Sequence, residues 1–443
     1  MFVGITNTPR NYAWGSTHAI ADLLGRTPSG GPEAELWLGA HAGSSAVIED
    51  AVQVGAANLA EWIAASPEVA LGTDWAAREA DAGGAVVADA ESAALADGQI
   101  PRLPFLLKIL AAARPLSLQA HPTTEQARAG FDLENEAGVA VDAGNRNYRD
   151  PFHKPELIFA LSDSFEALCG FRPLAEVRGI IAELRLLDLA TENPQSGALD
   201  LLDNHLARGL RDTVDWLLRD GRGDDSGEVK WLVERVVALA EHAEFLAAGG
   251  ASIGYARELA TVRALAAEYP GDPGIVIALL LNRVSLRRGE VLYLPAGNIH
   301  AYLSGLGVEL MAASDNVLRG GLTPKHIDID ELLSVLDFTA GPAPYLAPVV
   351  LAEGVTRYRP GVTDFALVHI EADADAASST PVTMRQIALT GPAIAICTAG
   401  GFLVAGAGSS RALKRGQAVF ITPDEGTLTF AGTGDVFLAT TGA

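Results

Sequence analysis

A glutamine and a histidine stand two positions apart in LSLQAHP, residues 116–122. The stretch follows an apolar run and alternates as a half-buried strand does. Because successive side chains of a strand point to opposite faces, Gln119 and His121 share a face and can reach one cavity. An amide oxygen and an imidazole nitrogen are both ligands for a metal ion.

Two further motifs supply the rest of a candidate metal site. HKPEL (153–157) has Glu156 at the start of a predicted strand, and LPAGNIH (294–300) ends in His300 after a Pro-Ala-Gly turn. Two imidazoles, one carboxylate and one amide oxygen suit a divalent Zn, Fe, Mn or Ni ion, and the absence of thiolates argues against a closed structural zinc. The sequence therefore predicts a metal site with room for water or substrate oxygens.

An arginine lies among turn-forming residues in ASDNVLRGGLTPKHID, residues 313–328. Asp315 and Asn316 can close a turn, and Thr323 with Pro324 is typical of a helix N-cap followed by proline in the first turn. We therefore expect Arg319 on a fixed loop rather than on a solvated helix face. The alternative is a turn arginine that pairs with Asp315.

The composition argues against several classes of partner. The chain has 443 residues, 49% of them apolar, two cysteines and a net charge of −23. Such a charge repels nucleic acid and anionic membranes, although a few local Lys or Arg side chains can still bind a small anion. No apolar run reaches the roughly 18 residues of a membrane span, and no secretory signal pattern or CxxC motif occurs. We expect a cytoplasmic protein.

Periodicity divides the chain into β, helical and β regions. Short strand patterns dominate residues 1–172, apart from a surface helix and loops expected over 62–100. Apolar residues then recur at helical spacing over 173–283. Strand patterns resume over 284–338, which should complete a first β domain, and continue over 339–443 as a second one. The predicted class is mainly β with an α-helical insertion.

The second β region contains a copy of part of the first. The two copies are residues 287–312 and 414–440. When Arg287 is aligned with Lys414 and no gap is introduced, the two copies share the positions of turns, strands and several glycines. His300 falls on Thr427, and Glu309 falls on Val436. A residue that the shared fold requires should occur in both copies, so we infer that His300 and Glu309 serve function.

The motifs together closely resemble those of type I mannose-6-phosphate isomerase, also called phosphomannose isomerase. The resemblance rests on LSLQAHP, HKPELIFAL, FEALCGFRP, LPAGNIHAYLSGLGVELMA and SDNVLRGGLTPKHID, in the family's order and spacing. NYAWGS and ELWLGAHAGSSA near the N-terminus add to it. It spans about residues 10–440 and is weakest over 62–100 and in the helical insertion.

The resemblance implies two cupin (jelly-roll) β-barrels, of which the first binds metal and the second does not, plus the helical domain. It also implies one Zn²⁺ ion per chain and an essential arginine, which matches Arg319. The implied zinc ligands are Gln119, His121, Glu156 and His300. The family usually has Asp-Lys after its QxHP motif, whereas this chain has Thr123-Thr124, so the charge contact of that pair is not carried over.

The implied activity is the interconversion of mannose 6-phosphate and fructose 6-phosphate, in which a proton moves between C2 and C1 through a cis-enediol. Zinc beside O1 and O2 would stabilise the developing charge. Lys154 and His153 are the candidate bases, and Lys154 is an equal candidate for pairing with phosphate or a carboxylate. Glu309 and Asp315 are expected in support. Arg319 would steady the enediolate oxygens.

Three residues are candidates for binding the substrate phosphate: Ser117, Lys108 and Lys325. We expect a monomer that binds small sugar phosphates. Two rival functions stay open at this point. A cupin with two histidines and a glutamate could hold Fe(II) as an oxygenase, although four protein ligands leave few open positions. A sugar-phosphate-binding protein without turnover would give Arg319 no role beside the metal.

Overall fold

The computed structural model describes residues 1–81, 101–222, 227–372 and 385–442. The strands are β1 (Phe2–Thr6), β2 (Glu35–Leu38), β3 (Val47–Ile48), β4 (Phe105–Ala112), β5 (Leu118–Ala120), β6 (Glu156–Ala160), β7 (Phe165–Phe171), β8 (Leu281–Leu286), β9 (Val291–Leu294), β10 (His300–Ala312), β11 (Leu318–Gly321), β12 (Val349–Ala352), β13 (Val355–Tyr358), β14 (Ala366–Ala372), β15 (Arg385–Ala388), β16 (Ala393–Ala405), β17 (Ser410–Lys414), β18 (Ala418–Ile421) and β19 (Thr427–Thr440). The helices are α1 (Ala19–Leu24), α2 (Ala51–Val54), α3 (Leu59–Ala65), α4 (Pro67–Leu71), α5 (Thr73–Asp81), α6 (Thr124–Glu136), α7 (Leu174–Leu189), α8 (Ser196–Leu206), α9 (Leu210–Arg222), α10 (Gly227–Ala248), α11 (Ala256–Glu268), α12 (Gly274–Leu280) and α13 (Ile329–Val335).

The strands pair antiparallel in two sheets. Within the described residues, nine strands, β2 and β4–β11, form a sheet that we call the first β unit. Ten strands, β1, β3 and β12–β19, form the second β unit. Strand β1 pairs with β18, so the beginning of the chain extends the sheet that the C-terminal residues build. A mainly β protein with inserted helices is therefore confirmed.

Helices α7–α12 lie between β7 and β8 in the chain and form one core with strands of the first β unit. Leu118 and Ala120 of β5 belong to this core and are fully buried. Because side chains alternate along a strand, Gln119 between them points away from the helices. The helical insertion thus fixes the orientation of the strand that carries the first motif.

A second core joins the two β units. Phe159 of β6 packs edge-on against Phe437 of β19, with 4.9 Å between ring centroids, and against Tyr358 of β13 at 5.5 Å. All three side chains belong to one buried cluster that draws on both sheets. Burial of aromatic side chains is a large favourable contribution to folding. The two units are therefore packed together over a common core.

The internal repeat predicted from the sequence coincides with paired strands. Strands β10 and β19 begin at the aligned residues His300 and Thr427, and β9 and β18 have aligned bounds. The shared glycines have a steric reason. A Cβ at Gly305 would lie 2.8 Å from the Cα of Phe165 on the neighbouring strand β7. A Cβ at Gly432 would lie 2.7 Å from the Cα of Phe402 on the neighbouring strand β16. Only glycine fits at these two positions.

Some local predictions are wrong. No helix begins after Thr323; instead Asp328 is the N-cap of α13 and accepts a hydrogen bond from the backbone N–H of Glu331 at 3.1 Å. Arg319 lies on the short strand β11 rather than on a loop, because β11 pairs with β5. Over 62–100, where a surface helix and loops are expected, the described part up to residue 81 contains parts of the helices α3–α5, and residues 82–100 lie outside the described residues. No helix in the described ranges is long and apolar enough to cross a membrane.

Candidate active site

The three predicted motifs meet at one end of the first β unit. His121 follows β5, Glu156 begins β6 and His300 begins β10. The Nε2 atom of His121 lies 3.4 Å from Glu156 Oε1, and the Nε2 atom of His300 lies 3.3 Å from Glu156 Oε2. All three side chains are buried, with 1–2% of their surface exposed. His121 and His300, which are far apart in the sequence, therefore lie in one cluster with Glu156.

This cluster has the features expected of a metal site. Within the described part of the chain, His121 Nε2, His300 Nε2 and Glu156 Oε2 have no hydrogen-bond partner. The three potential ligand atoms lie within 4.8 Å of one another. A buried polar atom without a partner costs about 1–3 kcal/mol, and a cation bound by all three would remove that cost. Imidazole and carboxylate ligands fit zinc and related divalent ions.

Backbone carbonyls fix the tautomers of both histidines. The Nδ1–H of His121 donates to the carbonyl oxygen of Asn316 at 2.7 Å, and the Nδ1–H of His300 donates to that of Asn298 at 2.9 Å. Each Nε2 therefore presents its lone pair to the centre of the cluster. The turn that precedes His300 is also tied to His121, because the N–H of Gly297 donates to the His121 carbonyl at 2.8 Å.

The electrostatics of the cluster favour the metal-binding forms of His121 and Glu156. Burial and the nearby Lys154 lower the pKa of His121 to about 4, against the opposite effect of Glu156. Burial alone would raise the pKa of Glu156, but Lys154 and His121 lower it well below its usual value. A neutral imidazole and an ionised carboxylate are the forms that bind a metal ion.

The segment just after His121 shows why Thr123-Thr124 is compatible with the site. Thr123 is the N-cap of α6, and its hydroxyl accepts from the N–H of Gln126 at 3.2 Å. The side chain of Gln126 accepts from the N–H of Thr123 at 2.9 Å in return. This capping box starts the helix immediately after the motif. Thr123 thus supplies the start of α6.

Gln119 is in register with two other candidate residues. It lies opposite His300 of β10 on one side and opposite Arg319 of β11 on the other. Residues directly opposite on neighbouring strands project from the same face of the sheet. Gln119 is half-buried. The register is compatible with its amide as a further ligand, and Arg319 lies on the next strand from Gln119.

The candidate bases lie next to the cluster. Lys154 Nζ is 3.1 Å from Glu156 Oε1, which confirms that the two side chains share a face across Pro155. His153 is partly exposed, and its Nε2 lies 2.9 Å from a carboxylate oxygen of Asp364. Asp315 lies nearby and pairs with His41 at 3.3 Å. Burial would raise the pKa of Asp315, but His41, Lys154 and Arg149 lower it to about 2.

Glu309 and Lys108 form a buried ion pair. They are opposite each other on β10 and β4, with 2.9 Å between Nζ and Oε2, and Glu35 lies 3.8 Å from the same ammonium group. Burial raises the pKa of Glu309 more than Lys108 lowers it. Burial would lower the pKa of Lys108, yet Glu309 and Glu35 raise it overall. An ammonium held this tightly between carboxylates is a poor candidate for binding a mobile phosphate.

Arg149, Arg319 and Lys325 form a group of neighbouring cations. Burial and Arg149 lower the pKa of Arg319, while burial, Arg319 and Arg149 lower that of Lys325. Cations that weaken one another's charged forms are suited to a bound anion. Ser117 is half-buried and lies just before β5, two positions from Gln119.

Sequence reasoning missed three residues of this site. Asn316 is fully buried; its amide donates to the carbonyls of Asp150 at 2.7 Å and Phe152 at 2.8 Å, and its carbonyl orients His121. Arg149 and Asp364 were also not selected. The SDN sequence signalled a turn at Asn316, but nothing in the sequence indicated that it would hold two motifs together.

The fold and the cluster define a class: a protein of two packed antiparallel β units, one of which carries a buried site suited to a metal ion. Residues 2–174 match the family model for the catalytic domain of type I phosphomannose isomerase. The chain is 34% identical to the mannose-6-phosphate isomerases of Shigella flexneri and of Escherichia coli strain K12, over 97% of each chain. It is 30% identical to mannose-6-phosphate isomerase 1 of Arabidopsis thaliana, over 89% of this chain and 81% of the relative.

Solved structures agree with these sequence relatives. A phosphomannose isomerase from Salmonella typhimurium has a TM-score of 0.79 at 32% identity, with both chains covered completely. A mannose 6-phosphate isomerase bound with zinc and yttrium has a TM-score of 0.78 at 32% identity, again over both whole chains. The chain therefore belongs to the type I mannose-6-phosphate isomerase family.

Proposed function

We propose that this protein interconverts mannose 6-phosphate and fructose 6-phosphate and holds one zinc ion per chain. The observation that carries the proposal is the buried cluster of His121, Glu156 and His300 in a chain of this family. Gln119, in register with His300, is the proposed fourth ligand. When bound, the zinc ion supplies a Lewis acid that stabilises negative charge on the substrate's O1 and O2.

Lys154 is the proposed base for the carbon-bound proton. Its amine lies beside the proposed ligand Glu156, so it would be available to a sugar whose oxygens reached the cluster. His153, the neighbouring residue, is proposed for proton transfer at the substrate oxygens, because an imidazole exchanges protons readily near neutral pH. Asp315 and Glu309 are proposed in support, through His41 and Lys108 respectively.

Arg319 is proposed to stabilise the enediolate oxygens. The register of Arg319 opposite Gln119 supports a guanidinium group on the metal side of the sheet. Preorganised donors aimed at developing negative charge are a large contribution to catalysis. Lys325 and Ser117 are the proposed phosphate ligands, joined by Arg149. Lys108 has less support in that role, because it is buried between carboxylates.

The architecture and setting follow the same family argument. We propose that the two β units are cupin barrels of jelly-roll type and that only the first binds metal. The proposed boundaries lie at about residues 172, 283 and 338, except that β1 and β3 pair within the second unit. We also propose a monomer in the cytoplasm, a reducing compartment that suits the two free, buried cysteines. The partners proposed are small sugar phosphates.

A coupled assay tests the proposed function. Purified protein should convert mannose 6-phosphate to fructose 6-phosphate, lose that activity with a chelator and regain it with added zinc. An oxygen electrode in the same reaction should record no consumption. Full activity after metal removal, or oxygen uptake without isomerisation, would refute the proposal.

A further inference from the structure

The second β unit reaches into the site with one side chain. Asp364 lies in the connection between β13 and β14, and its Oδ2 accepts from the Nε2–H of His153 at 2.9 Å. The Asp364 side chain is only 9% exposed, and that of His153 is 26% exposed. His153 lies in the HKPEL motif of the first unit. A buried carboxylate from one unit therefore holds an imidazole of the other.

The structure also holds Asp364 from its other side. Its Oδ1 lies 4.0 Å from a guanidinium nitrogen of Arg102. Arg102 itself is fixed by two contacts, a hydrogen bond to the Ala313 carbonyl at 3.1 Å and a stacking distance of 3.6 Å to the ring of Phe152. The carboxylate thus lies between an arginine anchored on the first unit and the imidazole that it orients.

The segment that carries Asp364 is anchored in the second unit. The next residue, Phe365, is fully buried in the core shared by the two units. The carbonyl of Thr363 accepts from the N–H of Gly442 at 3.0 Å. Because both neighbours are fixed, the carboxylate is presented in one position, and preorganisation of this kind is what a positioning residue requires.

We propose that Asp364 is a positioning residue for His153, through which the metal-free second β unit completes the active site. The inference rests on the proposed function, because its main effect is on isomerase turnover. By accepting the Nε2–H, the carboxylate leaves the lone pair on Nδ1 as the proton acceptor and stabilises the imidazolium that forms after transfer. His153 can thereby accept a proton at Nδ1 and release it again once per turnover.

A matched pair in the same unit provides the control. His369 and Asp435 also share a hydrogen bond of 2.9 Å. His369 stacks on Phe437 at 4.6 Å in the core between the sheets and belongs to none of the motifs. The two pairs have the same chemistry. A loss of activity in Asp364→Asn but not in Asp435→Asn would therefore come from the position of Asp364 at the site, and not from a general need for histidine–aspartate pairs.

The decisive experiment is a kinetic double-mutant cycle. Asp364→Asn should lower kcat by about 10- to 100-fold, as expected when a proton-transfer residue is mispositioned, with KM and zinc content near the wild-type values. His153→Ala should have an equal or larger effect, and adding Asp364→Asn to it should cost little more. Asp435→Asn should leave kcat unchanged. Wild-type kcat in Asp364→Asn, or independent losses in the double variant, would overturn the proposal.

A spectroscopic measurement covers the case in which Asp364→Asn does not fold. In protein with ¹⁵N-labelled histidine, the neutral imidazole of His153 should carry its proton on Nε2, and chelation of the metal should not change that assignment. A proton on Nδ1 would overturn the proposal. Failure of the proposed function is recognised separately, because the wild-type protein itself would then not isomerise mannose 6-phosphate.

Discussion

The two β units share a backbone plan and differ at the positions where the first has its cluster. His300 begins β10, whereas Thr427 begins the aligned strand β19. Glu156 of β6 pairs with the last residue of β9, and Ala393 of β16 pairs with the last residue of β18. A sheet of this kind therefore forms with or without the cluster residues. Their presence in one unit has a functional cause.

The interiors of the units differ in the same way. Glu309 and Val436 occupy aligned positions and are both buried, 3% and 0% exposed. Glu309 requires Lys108 as a partner at 2.9 Å, while Val436 lies in an apolar cluster of the second unit. Burying charged groups is costly even when they are paired. The first unit contains this costly ion pair, which we attribute to its chemistry. The second unit has an apolar residue at the aligned position.

The largest expected effect separates the aligned residues His300 and Thr427. His300→Ala should lose the metal, which inductively coupled plasma mass spectrometry measures. Its turnover should fall on the order of 10³-fold or more, because the Lewis acid is lost. Thr427→Ala should keep both the metal and activity. Full zinc content and turnover in His300→Ala would break the comparison between the units.

The next effect concerns catalysis without metal loss. Arg319→Ala should lower kcat by about 10²- to 10³-fold, as expected when a donor to developing negative charge is removed. Its zinc content should equal that of the wild type, because Arg319 is not a proposed ligand. Undiminished turnover in the mannose 6-phosphate assay would exclude this arginine from the reaction.

A third variant tests the apolar interior of the second unit. Val436→Glu copies the residue of the first unit without its lysine partner, and the free energy of unfolding should fall by about 3 kcal/mol or more. Urea titration measures this change, and Val436→Thr, which replaces one methyl group with a hydroxyl, serves as the milder control. Unchanged stability in Val436→Glu would mean that the second interior tolerates charge as the first one does.

The smallest effect is a pH dependence of the metal-free protein. Burial and Lys154 lower the pKa of His121 from 6.5 to about 4, so between these values the unfolded chain binds a proton that the folded chain does not. Stability from this residue is complete above pH 6.5 and is lost as the pH falls toward 4. From about pH 7.5 to 5.5, metal-free wild type should lose about 1 kcal/mol more than His121→Asn. Equal losses in urea titrations would contradict this pKa shift.

The sequence was sufficient for the residues of the cluster because each lies beside a strong local signal. Gln119 and His121 follow strand alternation, Glu156 follows a proline, and His300 follows a glycine turn. The alignment of the two copies added a second line of argument, since Thr427 replaces His300 within one chain. These are features of short range, which periodicity and turn residues report well.

The sequence could not supply what depends on packing between distant segments. Asp364 meets His153 only because the two units share a core, and no local pattern around Asp364 marks it. Asn316 was seen as a turn residue, whereas its role comes from hydrogen bonds to another motif. The helix start at Asp328 was misplaced because Thr323 and Pro324 gave an equally good local signal.

The proposed function depends most directly on where the metal binds. Anomalous diffraction at the zinc edge from crystals of the zinc-loaded protein should show one peak per chain, ligated by Gln119, His121, Glu156 and His300. No peak should lie at the aligned positions in the second β unit. A zinc ion elsewhere, with those four side chains directed apart, would contradict the account.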